Sequence, residues 1–229
     1  MITIIIPTYN EAESITCLIN YLKDNSNNKV KEIIVSDGGS TDKTLEVAQQ
    51  TSVKAVLSPK KGRASQMNYG ASIASGEVLY FIHADTFPPP TYVQDTEQAL
   101  ADGYELGRYR TKFNSNKTIL RINAFFTRFD WFICYGGDQT LYITDKLFKE
   151  IGGFKEDMLL MEDYEIVERA RKKRKYKIFP KAALVSARKY DTNSWLTVQL
   201  ANRTIVKMYN KGASQVEMVE KYQEMLVYR

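Results

Sequence analysis

Residues 2–11, with the sequence ITIIIPTYNE, begin as an apolar, β-branched run and end in a polar turn. A continuous run such as Ile2–Ile6 predicts a strand that is buried on both faces of a sheet. Pro7–Asn10 ends that strand, because proline and asparagine favour turns. A helix is predicted next, since apolar residues recur on one helical face at Ile15, Leu18, Ile19 and Leu22.

The same alternation of strand and helix continues through residue 90. We predict strands at Glu32–Ser36, Ala55–Ser58 and Val78–Ile82, and helices at Lys43–Gln50 and Ala64–Ala74. Strands that are separated by helices pair in parallel through right-handed crossovers. The expected fold class is therefore α/β, with a Rossmann-like, mostly parallel sheet flanked by helices. Ligands of such sheets bind beyond the carboxyl ends of the strands.

Residues 91–229 have a different pattern, which predicts a mixed half that ends in helices. The predicted elements are strands at Tyr104–Lys112 and Leu141–Ile143, edge strands at Lys177–Phe179 and Ala183–Val185, and helices at Thr118–Phe132, Asp145–Ile151 and Glu162–Lys173. The first of these helices is rich in aromatic residues. The sequence has no flexible linker between the halves, so we expect a single domain over residues 1–229.

The charged residues narrow the classes of partner. The 32 lysines and arginines outnumber the 27 acidic residues. Their densest cluster, which we call the basic block, consists of Arg169, Arg171, Lys172, Lys173, Arg174, Lys175 and Lys177. The basic block fits either a solvated helix end or a contact with anionic lipid or an anionic substrate. No nucleic-acid recognition module accompanies it, so we expect no nucleic-acid partner.

The cysteines and the N-terminus bear on location. Cys17 and Cys134 are too few for a disulfide framework, so we expect two buried free thiols in a reducing cytoplasm. The N-terminal residues lack the charged region and cleavage site of a signal peptide. No stretch approaches the roughly 20 apolar residues of a transmembrane helix. We therefore expect a cytoplasmic protein, either free or in peripheral contact with the inner face of the membrane.

Four polar clusters occur where a doubly wound sheet would bind a ligand. Three follow predicted strands and the fourth lies at the start of a predicted helix: Pro7–Glu11, Asp37–Asp42, His83–Asp85 and Met161–Asp163. Any one of them is compatible with an ordinary turn or helix start. Their order and spacing along one chain are more specific. In an extended segment, the side chains of His83 and Asp85 would point the same way because they are two residues apart.

In this order the clusters resemble those of family 2 glycosyltransferases, which have the GT-A fold. Such proteins carry P-x-Y-N-E after the first strand, D-D-G-S-x-D or D-G-G-S-x-D after the second, then a D-x-D-like motif and an E-D pair. The match runs from residue 2 to near residue 190, and Gly62–Asn68 and Ser186–Arg188 resemble a bacterial subgroup of short, soluble members. The resemblance implies that residues 1–90 bind a nucleotide sugar and that residues 91–229 form the acceptor side.

The resemblance also implies which residues hold the donor and a metal ion. The implied nucleotide-sugar contacts are Pro7, Tyr9, Glu11, Asp37, Arg63, Ala84, Asp85 and Arg188. Asp85 matches the last acid of D-x-D and is the expected ligand of Mg²⁺ or Mn²⁺, which bridge to diphosphate oxygens. Two positions depart from the pattern, because Gly38 replaces a second aspartate and His83 replaces the first acid of D-x-D. His83 is then a ligand, a partner of a ligand or a packed side chain.

The catalytic residues follow from the same resemblance. Asp163 is the implied general base with Glu162 beside it, and carboxylates in a first helical turn stay ionised near the positive end of the helix dipole. The residues implied to line the acceptor side are Gly137, Asp138 and Gln139. The neighbouring aromatic residues either stack on a sugar ring or belong to the core: Trp131, Phe132 and Tyr135.

The expected reaction is an inverting transfer of one sugar from a nucleoside-diphosphate sugar to a hydroxyl acceptor. A UDP-sugar is the favoured donor, and a lipid-linked acceptor is one option. Two alternatives stay open, namely a nucleotidyltransferase of sugar-nucleotide synthesis and a non-catalytic nucleotide-sugar-binding protein. A nicotinamide dehydrogenase and a P-loop enzyme are excluded, because the sequence lacks G-x-G-x-x-G after the first strand and G-x-x-x-x-G-K-[ST].

Overall fold

Strands and helices alternate through the first half of the computed structural model, which describes residues 1–134 and 140–227. The strands of the described residues are β1 (Ile2–Thr8), β2 (Val30–Asp37), β3 (Lys54–Leu57), β4 (Val78–Phe81), β5 (Thr86–Phe87), β6 (Leu106–Phe113), β7 (Leu141–Thr144) and β8 (Tyr176–Val185). The helices of the same residues are α1 (Ile15–Asp24), α2 (Thr44–Gln50), α3 (Arg63–Ser72), α4 (Tyr92–Ala101), α5 (Thr118–Phe126), α6 (Asp145–Glu150), α7 (Glu162–Arg171), α8 (Lys189–Thr192), α9 (Trp195–Asn210) and α10 (Gln215–Met225).

The strands form one sheet in the order β3-β2-β1-β4-β7-β6-β8-β5. The first four strands are parallel, since β1 pairs with β2 and β4, and β2 pairs with β3. Strand β7 runs antiparallel to both β4 and β6, whereas β6 and β8 are parallel. The predicted α/β class, with a parallel first half and a mixed second half, is confirmed. The sheet continues across residue 90 because β4 pairs with β7, so the division of the chain at that residue stays a prediction.

Strand β1 lies at the centre of two cores because its side chains alternate between the faces of the sheet. Ile4 and Ile6 pack with Leu18 of α1 on one face. Ile5 packs with Met67 of α3 on the other face. A β-carbon on Gly70 of α3 would lie 2.5 Å from Ile5, so helix α3 approaches the strand closely. This packing holds the N-terminal end of α3 near the carboxyl ends of β1 and β2.

A third apolar cluster joins the C-terminal helices to the second half of the sheet. Val198 of α9 and Met218 of α10 are buried together with Leu120 of α5. Met158 and Met161, which precede α7, belong to the same cluster. The C-terminal helices therefore support the loop that leads into the predicted Glu162–Asp163 pair. Within residues 1–134 and 140–227, no helix is both long enough and apolar enough to cross a membrane.

The aromatic helix that was predicted to extend to Phe132 ends at Phe126. Tertiary contacts with β6 stop it. The guanidinium group of Arg108, which is buried, donates to the carbonyl oxygen of Thr127 at 2.9 Å, and the Thr127 hydroxyl oxygen accepts from the backbone N–H of Thr111 at 2.9 Å. A short 3₁₀ helix follows at Phe132–Cys134.

Two other expectations about local structure are wrong. The two predicted edge strands are one strand, β8, whose register with β6 shifts where Tyr109 and Arg110 oppose Phe179 and Ala182. Pro180 lies in this irregular stretch, and a proline without an N–H group is tolerated there. Cys17 is exposed rather than buried, because it lies on the outer face of α1, whereas Cys134 is buried as expected.

Candidate active site

The loops after β1 and β2 are tied together by one asparagine. The Asn10 side-chain oxygen accepts from the backbone N–H of Thr41 at 2.8 Å, and the Asn10 N–H donates to the Ser40 hydroxyl at 2.8 Å. Asn10 has a left-handed backbone with φ of 56°, which asparagine tolerates better than most residues. The next residue, Glu11, donates its backbone N–H to Thr44 of α2 at 2.8 Å. The first two polar clusters therefore form one edge of a crevice.

Asp37 is 1% exposed, and its carboxylate points into its own loop. One oxygen accepts from the backbone N–H groups of Gly39 and Ser40 at 2.9 and 2.8 Å. The other oxygen accepts from the hydroxyl groups of Thr8, at 3.2 Å, and Ser40. The carboxylate of this implied nucleotide-sugar contact is thus engaged in shaping the turn. The role of Asp37 in binding the nucleoside stays a prediction.

Gln66 of α3 explains why the second acid of the family motif is missing. Its buried side-chain amide donates to the carbonyl oxygens of Thr8 and Ser36 at 2.7 and 2.8 Å, so it bridges the ends of β1 and β2. A β-carbon on Gly38 would lie 2.9 Å from the Gln66 side chain. The space for an aspartate is therefore filled by the glutamine. Sequence reasoning missed this residue, although the replacement of an acid by Gly38 signalled a crowded neighbour.

Arg63 and Glu162, which are 99 residues apart in sequence, form an ion pair between α3 and α7. The Arg63 Nε atom donates to Glu162 Oε1, and the Glu162 side chain is only 1% exposed. Glu162 Oε2 is buried and has no hydrogen-bond partner among the residues that the structure describes. This pair connects helix α3, of the predicted donor half, directly to the helix that carries the predicted base.

Asp163 lies in the first turn of α7 and is half-buried, in contrast to the buried Glu162. Its Oδ1 atom accepts from the backbone N–H of Tyr164 at 2.9 Å. Met161, just before the helix, has a left-handed backbone with φ of 69° and is buried. In many proteins, residues with a strained backbone of this kind cluster at functional sites. The turn therefore orients two adjacent carboxylates differently.

Arg188 brings together two of the predicted donor-binding acids. Its guanidinium group donates to both carboxylate oxygens of Glu11, one of them at 3.0 Å, and lies 3.3 Å from Asp85 Oδ2. The backbone of Asp85 is also fixed, because its carbonyl oxygen accepts from the N–H of Ser186 at 3.2 Å. Three residues from distant parts of the sequence therefore form one charged group at the carboxyl ends of β1 and β4.

The segment His83–Asp85 is a turn, so the expectation that it is extended is wrong. The backbone N–H of Thr86 donates to the carbonyl oxygen of His83 at 3.0 Å and closes the turn. Ala84 is buried within it. The chain turns here because β5 begins at Thr86 and pairs with β8 instead of continuing the direction of β4. Of the remaining predicted donor contacts, Pro7 is buried in β1 and Tyr9 is exposed at the rim.

The carboxylates at this edge fit a hard divalent cation. Among the described residues, no group of three or more His, Cys, Asp or Glu side chains could hold a metal ion. Mg²⁺ and Mn²⁺ do not require such a cage, since one or two carboxylates and the phosphates of a substrate suffice. Asp85 and Glu11 already share a cationic group, the Arg188 guanidinium. Asp85 is therefore suited to a cation that arrives with a diphosphate.

The predicted acceptor-side residues Gly137, Asp138 and Gln139 lie outside the described residues, as does Tyr135. The two aromatic residues before them differ in burial. Trp131 is 52% exposed, whereas Phe132 is half-buried with its ring centroid 5.2 Å from that of Tyr164.

An ion pair between the buried Glu165 and the half-buried Arg169 anchors α7, and Glu165 lies in the same first turn as the candidate base. Burial raises the pKa of Glu165, but hydrogen bonds and charges from Arg169 and Lys155 lower it by more, so the pKa lies below its ordinary value. Arg169 also donates to the carbonyl oxygens of Ile151 and Gly153, so it is not a surface member of the basic block. The position of Asp163 is thereby fixed relative to the loop before α7.

The sheet thus belongs to the α/β class, with a charged group beyond β1 and β4 and paired carboxylates on α7. The family model of glycosyl transferase family 2 matches residues 3–155. The match covers more than half of the chain, and the chain belongs to that family. Glu162, Asp163 and Arg188 lie beyond the matched residues.

A curated relative is the dolichol-phosphate mannosyltransferase of Pyrococcus furiosus, with 34% identity over 110 residues. The aligned part is 46% of this chain and 31% of the relative, so the match spans about a third of the relative's length.

Two solved structures share the fold over 98% of this chain. Residues 1–349 of TarS from S. aureus, in complex with UDP-GlcNAc, have a TM-score of 0.67 and 18% identity, with 71% of that chain covered. The mannosyltransferase PcManGT from Pyrobaculum calidifontis, in complex with GDP-Man and Mn²⁺, has a TM-score of 0.67 and 18% identity, with 69% covered. These likenesses show that the fold is GT-A.

Proposed function

We propose that this chain transfers one sugar from a nucleoside-diphosphate sugar to an acceptor hydroxyl group with inversion at the anomeric carbon. The observation that carries the proposal is the pair Glu162–Asp163. One carboxylate is buried against Arg63 of the donor side, and its neighbour is half-buried in the first turn of α7. This arrangement suits a base that acts at the border between donor and acceptor.

The donor side offers two guanidinium groups to a diphosphate, each of them also paired with a carboxylate. Arg63 and Arg188 are 35% and 57% exposed, so their guanidinium groups are accessible to phosphate oxygens, which they match in geometry. A divalent cation bound at Asp85 would neutralise the charge of the departing diphosphate. The Mn²⁺ in the PcManGT complex supports a role for a divalent cation here. We favour a UDP-sugar as donor.

Asp163 takes the proton of the acceptor. The positive end of the α7 dipole favours its ionised form. As the acceptor oxygen forms a bond to the anomeric carbon, the bond from that carbon to the diphosphate oxygen breaks, and the acceptor proton moves to the Asp163 carboxylate. Attack from the face opposite the leaving group inverts the configuration. The name of the Pyrococcus furiosus relative supports a lipid phosphate as a further class of acceptor.

Asp163→Asn tests the proposal, with Asp157→Asn as a matched control at an exposed site of the preceding loop. A panel of UDP- and GDP-sugars first identifies the donor by the increase in thermal stability that binding produces. We expect Asp163→Asn to retain nucleotide affinity in calorimetry and to lose about 10²–10⁴-fold in turnover. The control should retain its turnover. Near-normal turnover of Asp163→Asn, or a product that keeps the donor's anomeric configuration by NMR, would refute the mechanism.

A further inference from the structure

Helix α5 turns most of its apolar side chains to solvent. Leu120 is its buried residue. The large apolar side chains of the same region are exposed: Ile119, Ile122, Phe125, Phe126 and Trp131. We call these five the aromatic surface. Contiguous apolar patches of this kind mark interaction sites on proteins.

The rings of the aromatic surface contact one another and are held in place. Phe126 lies 5.7 Å from Phe125 and 6.4 Å from Trp131 between ring centroids. Trp131 also stacks on Phe129 at 4.5 Å, and Arg128 lies over the Phe125 ring at 3.7 Å. The rings thus pack against one another and stay partly exposed among the residues that the structure describes, with the Arg128 cation against one of them.

The basic block adjoins the aromatic surface through an ion pair. Asp130, which precedes Trp131, pairs with Arg171 at the end of α7. An open depression of about 360 Å³ at the basic block is lined by Asp130 and residues 171–176. Lys173 and Arg174 pair with acidic neighbours, whereas Lys172 and Lys175 are exposed and have no ion pair among the described residues. The depression keeps a net positive charge.

We propose that the aromatic surface and the basic block together dock on a bilayer that contains anionic phospholipid. Aromatic residues favour the interface of a membrane, and lysines beside them attract anionic headgroups. A second copy of the chain is a poorer partner. A two-fold contact through the aromatic surface would bring two basic blocks towards each other, and such like-charge contacts are unfavourable.

Docking through these two surfaces would bring the candidate base to within about 15 Å of the basic residues that face the lipid. Helix α7 has its acidic first turn at one end and the basic block at the other, about 15 Å apart at 1.5 Å per residue. Phe132, which follows the aromatic surface, contacts Tyr164 next to Asp163. The docking proposal stands without the proposed transfer reaction, but it would give that reaction access to a lipid-linked acceptor.

Vesicle sedimentation tests the docking surface. We expect the protein to bind phosphatidylcholine vesicles that contain phosphatidylserine, to bind pure phosphatidylcholine weakly, and to lose affinity as salt rises. Phe126→Ser/Trp131→Ser and Lys172→Gln/Lys175→Gln should each lower the partition coefficient. For the lysine pair, the partition coefficient should fall about tenfold or more, because each lysine near an anionic surface contributes about 1 kcal/mol to binding. These substitutions lie outside the catalytic carboxylates, so nucleotide affinity reports intact folding.

Matched controls and a second measurement keep the result decisive. Lys31→Gln/Lys54→Gln removes the same charge at the N-terminal ends of β2 and β3. Val216→Ser removes an exposed apolar group from α10. Both control variants should bind vesicles like the wild type. Equal binding of all variants, or no binding to anionic vesicles at low salt, would overturn the proposal. Sedimentation velocity that shows a dimer disrupted by Phe126→Ser/Trp131→Ser, without vesicle binding, would assign the surface to a second copy instead.

Discussion

Replacing Arg63 by methionine should destabilise the protein by more than the loss of a surface ion pair. The Glu162 side chain is 1% exposed, so its charge is buried, and Arg63→Met keeps the aliphatic stem while removing the cation. Breaking a fully buried pair from one side costs about 3–5 kcal/mol. Because Arg63 is itself 35% exposed, water screens part of the interaction, and we expect a loss of about 2–3 kcal/mol.

The double variant Arg63→Met/Glu162→Gln isolates the cause of that loss. A glutamine fills the same space without a charge, so the double variant should recover about 1 kcal/mol or more relative to Arg63→Met. Urea denaturation, followed by circular dichroism, measures the free energy of unfolding. Arg203→Met, on the exposed side of α9, should stay within about 0.5 kcal/mol of the wild type. An Arg63→Met variant as stable as this control, or a double variant less stable than Arg63→Met, would refute the reasoning.

Three other predictions follow from the residues at the carboxyl ends of the parallel strands and from α7. Gly38→Ala should lower the free energy of unfolding by about 1–3 kcal/mol in urea, because the new methyl group displaces Gln66 from two carbonyl oxygens; a wild-type value would contradict this. The lowered pKa of Glu165 stabilises the fold above the ordinary value of 4.5 and loses this effect as pH falls below it. Glu165→Gln should therefore flatten the acid limb of the stability curve, and an unchanged limb would count against the ion pair. Asp85→Asn should weaken Mn²⁺ binding to the UDP-bound protein about tenfold or more in calorimetry, and an unchanged affinity would exclude Asp85 as the ligand.

The elements of the parallel half could be predicted because local pattern and burial agree there. The run Ile2–Ile6 has a single suitable environment, a strand covered on both faces, and the helix after it has a clear apolar stripe. The polar clusters could be placed at one edge by topology alone. The Glu11–Arg188 contact could not be predicted, because the two residues are 177 positions apart and no sequence pattern indicates their contact.

The expectations that were wrong concern tertiary contacts. The sequence pattern predicted that the aromatic helix continues to Phe132. In the structure, Arg108 donates to the carbonyl oxygen of Thr127, and the helix ends earlier. An apolar stripe also cannot tell a core from an exposed surface, so the exposure of α5 was not foreseen. The turn at His83–Asp85 depends on the path to β5, a strand of only two residues that has no sequence signal.

The bridge from Arg188 to Glu11 and Asp85 has a consequence for the order in which the chain folds. During synthesis, strands β1 to β4 emerge with both carboxylates long before residue 188 leaves the ribosome. At about 5–20 residues per second, the interval is on the order of ten seconds. In that time the two acids must remain hydrated or take a counterion from solution, because their protein cation does not yet exist. The charged group is thus completed only when residue 188 arrives, and a nascent chain that stalls before it would carry the first strands with two unpaired acids.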